Sequence, residues 1–73
     1  MKQIDTTAED WQRVCLELAK TQETFEVRNV SVKNLVFLNE FCAAYKYNYQ
    51  AHGVSGLNLI PENQNISQQP GPF

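Results

Sequence analysis

The hydrophobic period of this chain changes twice before residue 46. Ala8, Trp11, Val14, Cys15, Leu18 and Ala19 recur at helical spacing; Phe25 and Val27 then alternate with Glu26 and Arg28; Leu35, Leu38, Phe41, Cys42 and Tyr45 return to the helical interval. A helix, strand, helix order has one stripe on each helix and one strand face to hide, and 73 residues provide a single core in which to hide them. The expected fold class is α+β: one small domain, with two amphipathic helices packed on a short antiparallel sheet.

Local signals give the boundaries. Thr6-Thr7-Ala8-Glu9-Asp10 holds two overlapping capping boxes, Thr6 with Glu9 and Thr7 with Asp10, so the first helix is expected over 7–21. Phe25 to Arg28 reads as a strand with a turn or bulge near Asn29, after which Val30 and Val32 resume the alternation. Ser31 can cap the second helix, which is expected to run to about Ala44. Beyond it Tyr45 and Tyr49 continue the helical stripe, while Tyr45-Lys46-Tyr47-Asn48-Tyr49 is also a strict alternation. A strand over 45–51 is preferred, because tyrosine favours strands and the Phe25 to Arg28 strand needs a hydrogen-bonded partner. No turn residue separates this strand from the helix before it. Gly53 and Gly56 bracket a turn, Leu57 to Ile60 can add a third strand, and Pro61 should stop it. The remainder, PENQNISQQPGPF, has no apolar periodicity, so the expectation is a compact domain over 1–60 and a flexible tail over 61–73.

The chemistry-bearing residues are few. Cys15, Cys42 and His52 have neither CxxC nor HxxxH spacing, and both cysteines fall on core faces, where burial raises a thiol pKa and disfavours the nucleophilic thiolate. Glu9 and Asp10 are accounted for by capping, and Gly53, Gly56 and Gly71 lack the spacing of a phosphate loop. No metal, no cofactor and no catalytic residue is expected, and hence no enzyme. Six Lys and Arg against eight Asp and Glu give a net charge of -2, too little positive charge for direct nucleic-acid binding. The N-terminus has no signal-peptide pattern and the longest apolar run is Leu35 to Leu38, so a cytoplasmic, non-membrane protein with reduced cysteines is expected.

The surplus is aromatic. Trp11, Phe25, Phe37, Phe41, Tyr45, Tyr47 and Tyr49 exceed what so small a fold can enclose, and tyrosine is enriched at protein interfaces. With Tyr45 and Tyr49 on one face of the strand and Tyr47 nearer solvent beside Lys46 and Asn48, the candidate partner-binding residues are Arg28, Lys46, Tyr47 and Tyr49. A generic interaction module, antitoxin-like or an assembly subunit, fits these features.

The opening MKQIDTTAEDWQRVCLELAK, the central VKNLVFLNEFCAAYKYNYQAHG and the tail PENQNISQQPGPF, together with the length, resemble the small transcription regulators of Xanthomonas lytic phages that bind host RNA polymerase. The resemblance implies a monomeric, non-enzymatic protein acting in the bacterial cytoplasm. Its partner would be RNA polymerase, engaged around the N-terminal region of β′ and the β flap near the RNA exit channel. Promoter initiation would be inhibited and termination suppressed.

Overall fold

The computed structural model describes residues 2–62. Its elements run β1 (Lys2–Asp5), α1 (Trp11–Lys20), β2 (Phe25–Arg28), α2 (Val32–Tyr45), β3 (Tyr47–His52) and β4 (Gly56–Pro61). The four strands form one sheet in the order β1-β2-β4-β3. β4 is antiparallel to both β2 and β3, so the expected antiparallel pairings are present, while β1 lies parallel to β2 and makes the sheet mixed. The α+β class therefore stands, with one strand more than the sequence suggested.

Both helices are crossovers between parallel strands, α1 from β1 to β2 and α2 from β2 to β3, and both step the same way across the sheet. Right-handed crossovers, the near-universal hand, put two such helices on one face. There the edge of the Trp11 ring meets Phe37 with centroids 5.1 Å apart, joining α1 to α2. Ile4, Phe25, Val27, Leu57, Leu59 and Tyr47 supply the core from the sheet, and Trp11, Cys15, Leu18, Leu38, Phe41 and Cys42 from the helices. The other face of the sheet is not covered by any described element.

α1 begins at Trp11 and not at 7, and neither expected capping box forms. The threonines are engaged elsewhere. Thr7 donates its N–H and its hydroxyl to Asp5 Oδ1 at 2.9 and 2.7 Å, and Thr6 Oγ1 donates to the carbonyl of Asn29 at 2.6 Å. Thr6 N also donates to the Arg28 carbonyl at 3.2 Å, so Thr6 ties the end of β1 to the end of β2 while Thr7 and Ala8 turn back onto Asp5 before the helix starts. The second cap is as expected and fuller: Ser31 Oγ accepts from Asn34 N at 3.3 Å while Ser31 N donates to Asn34 Oδ1 at 3.0 Å.

The missing turn between α2 and β3 is made by Lys46 alone. Its backbone is left-handed, φ 60 and ψ 55, and its N–H closes the helix on the carbonyl of Cys42. That one residue converts helix to strand, so Tyr45 belongs to the last turn of α2 and the strand opens at Tyr47. The turn expected near Asn29 is similarly left-handed, with φ 58.

Pro61 does not stop β4 short of itself; it is the buried last residue of the strand and pairs with Tyr47. β2 covers β4 only from Leu57 to Leu59, so Pro61 lies beyond the reach of β2, and a proline there leaves no ladder position unfilled on that side. Glu62 N then donates to the Lys46 carbonyl at 2.8 Å. Of the tail expected over 61–73, residues 63–73 lie outside the described residues. Among those that are described, no helix is long and apolar enough to cross a membrane.

Candidate interaction surface

The four residues expected to meet a partner do not share a surface. Register places Val27 level with Leu57 and Ala51, so Arg28 at the end of β2 is level with Gly56 and His52. Tyr47 begins β3 at the opposite end, five residues or about 17 Å away along the strand. Arg28 also points to the uncovered face, whereas Tyr47 points under the helices.

Tyr47 is a core residue, 2% exposed, which corrects the expectation that it lies nearer solvent. Alternation sets Tyr47, Tyr49 and Ala51 on the same helix-covered side, and the first of them is enclosed. Its ring lies against Phe25 and Phe41, with centroids 5.6 and 5.3 Å away, and its hydroxyl donates to the carbonyl of Glu23 at 2.6 Å. Burial pushes this phenol up to about 12. Tyr49, near the middle of the same strand, is 44% exposed and donates its hydroxyl to Asn39 Oδ1 at 2.8 Å. Lys46 is exposed at the tight turn.

Asn39 connects Tyr49 to a feature of α2 that the sequence reading passed over. Val32, Val36, Asn39 and Ala43 follow one another at intervals of four, three and four, forming a single stripe on the side away from Leu38 and Phe41. Val32 is 83% exposed and Val36 62%, so this helix is apolar on its outer side as well as its inner one. The signal was the i, i+4 pair of valines, overlooked because Lys33 and Glu40 nearby suggested an ordinary solvated face. Within this stripe Asn39 is the residue that meets β3, an outer strand of the described sheet.

A second candidate lies on the uncovered face. Asp5, Glu26, Arg28, Asn29, His52 and the 53–56 turn line a cleft of about 410 Å³. Glu26 is buried at 6% exposure, and its Oε2 lies 3.5 Å from both Arg28 Nε and His52 Nε2. Asp5 accepts from Thr7 and, through both oxygens, from Asn29 Nδ2 at 3.0 Å. These bonds, the Thr7 backbone N–H first and Asn29 next, hold the Asp5 carboxyl below its ordinary value of 3.8.

A depressed folded-state pKa contributes stability that is present above the unfolded value and lost as pH falls through the folded one. Asp5→Asn is therefore expected to lower the urea midpoint at pH 7, with the difference from the parent closing as pH drops below about 3.8. Parallel midpoint curves across that range would show that the carboxylate is not stabilising.

Cys15 and Cys42 are buried free thiols, as their positions on the helical stripes suggested. Burial pushes them up to about 12 and about 11, so both are protonated at neutral pH. Among the described residues no group of three His, Cys, Asp or Glu side chains is placed to hold a metal ion. No family model, curated protein or solved structure matches this chain.

Proposed function

We propose that this chain is a transcription regulator that binds bacterial RNA polymerase, inhibits initiation at host promoters and suppresses termination. The exposed valine stripe of α2 carries the reading at the level of physics. Val32 and Val36 are exposed large apolar side chains one turn apart on α2, and exposed apolar surface on so small a domain is what a partner protein covers. The choice of polymerase as that partner rests on the whole-chain resemblance described above. The net charge of -2 suits a protein surface better than a phosphate backbone.

The mechanism is differential binding. A ligand shifts an equilibrium only by the difference between its affinities for the two states, so the domain must favour one polymerase state over another. Occupying a contact that σ needs lowers initiation. Favouring the elongating form, or keeping a nascent hairpin from forming in the exit channel, lowers termination. The β′ N-terminal region and the β flap are the docking places that the resemblance implies.

Purified Xanthomonas polymerase should be retained by the immobilised full-length chain at low salt. The added chain should reduce promoter-initiated transcripts and increase read-through at an intrinsic terminator. No retention at low salt would remove the reading. A homodimer by sedimentation, without polymerase binding, would favour a generic interaction module instead.

A further inference from the structure

Among the described residues β3 is an outer strand with little to protect it. Glu62 N donates to the Lys46 carbonyl, and at the other end of the strand a Cβ placed on Gly56 would lie 2.6 Å from the His52 carbonyl oxygen. Residues of that parity, 46, 48, 50 and 52, thus turn their backbone groups toward β4. The N–H and C=O groups of Tyr47, Tyr49 and Ala51 consequently point away from it, where no described strand pairs with them. Natural edges are blunted by charges, prolines, bulges or shortness. β3 is six residues long, contains no proline, has no formal charge from Tyr47 to Ala51, and pairs with β4 without a bulge. The other edge, β1, has four residues and bears Lys2 and Asp5.

Resting on the reading that the chain acts by binding a partner protein, we propose that β3 takes an extended, uncharged segment of that partner as a fifth strand. Its side chains on the helix-covered side would lie beside Tyr49 and Asn39, which meet at that edge. Main-chain hydrogen bonds provide the affinity of strand addition and alternate side chains the selectivity. Charge decides what kind of segment fits. The strand from Tyr47 to Ala51 and the Asn39 side chain that meets it carry no formal charge, so a charged segment would lose hydration without meeting a counter-charge there.

Area favours a single strand over a second copy of this chain. Six residues span about 20 Å, and a sheet layer with one helix layer is about 20 Å tall, giving a strip on the order of 400 Å². A stable dimer needs about 800 Å² from each partner.

The test uses the full 73-residue chain made by chemical synthesis, with and without a methyl group on the Tyr49 backbone nitrogen, against purified Xanthomonas polymerase. The methyl group removes one outward donor and obstructs the edge while leaving every side chain in place. Binding should weaken about tenfold or more, with the denaturation midpoint unchanged. Should the methylated chain fail to fold, amide hydrogen exchange of the unmodified complex gives the same answer: exchange at Tyr49 and Ala51 should slow about tenfold or more relative to the isolated chain. Retained binding without either effect overturns the edge and leaves polymerase binding intact. Failure of the unmodified chain to bind polymerase removes both. A two-chain mass in sedimentation, with β3 amides protected in the absence of polymerase, assigns the edge to a second copy and overturns the proposed occupant.

Discussion

Phe41→Ala is expected to destabilise the domain by about 3–5 kcal/mol. Phe41 is buried from the sheet side of α2, and four other rings surround it: Tyr45 at 5.1 Å, Tyr47 at 5.3 Å, Phe37 at 5.9 Å and Phe25 at 6.1 Å between centroids. Two of these belong to α2 itself, one to β2 and one to β3, so the truncation opens a cavity where helix and sheet meet. Proteins of this length are stable by only about 4–11 kcal/mol, and the loss would consume much of that. Phe41→Leu, which keeps most of the volume, should cost under about 1.5 kcal/mol. Urea denaturation followed by circular dichroism distinguishes the cases. A Phe41→Ala variant with the parent's midpoint would mean that the ring cluster is not the centre of the core.

Gly56→Ala should cost about 1–3 kcal/mol although it adds a single methyl group. A Cβ at Gly56 would lie 2.6 Å from the His52 carbonyl oxygen, 3.4 Å from that of Val27 and 3.6 Å from Glu26 Oε2. The first two are backbone atoms of the strands on either side, so relief requires moving β3 or β2 and not a flexible side chain. Gly53→Ala provides the contrast. Nothing lies within 4 Å of a Cβ there, and only the positive φ of 72 opposes it, a cost on the order of 1 kcal/mol. Denaturation midpoints should rank parent, Gly53→Ala, Gly56→Ala from most to least stable. A Gly56→Ala variant at least as stable as Gly53→Ala would show that the hairpin shifts freely.

The elements that were legible in the sequence are those whose own periodicity names the face they bury. The stripes through Trp11, Cys15 and Leu18 and through Leu38, Phe41 and Cys42 are the buried faces of α1 and α2, and Phe25 and Val27 are the inner face of β2. Ser31 caps where its hydroxyl and Asn34 predict. The preference for a strand after α2 holds from Tyr47, although the turn that permits it is a lysine in the left-handed region, which no residue preference announces. The candidate contact residues were much less legible. Alternation along β3 already sets Tyr47 on the face of Tyr49, against the expectation that separated them, and only the tertiary structure decides that Tyr47 is enclosed on that face while Tyr49 stays half-exposed.

Periodicity, capping and composition within this chain are enough to make it a one-core α+β domain with two amphipathic helices, because those signals act between residues a few positions apart. Distant pairings decided the rest. Lys2 to Asp5, with one buried apolar residue, becomes a strand only because β2 offers it a parallel neighbour. Thr6 and Thr7 leave the helix start because Asp5 and Asn29 come together across 24 residues. Pro61 extends β4 because β2 ends short of it. Each depends on a hydrogen-bonding partner brought near by the assembled sheet, and a local pattern of side chains carries no record of such a partner.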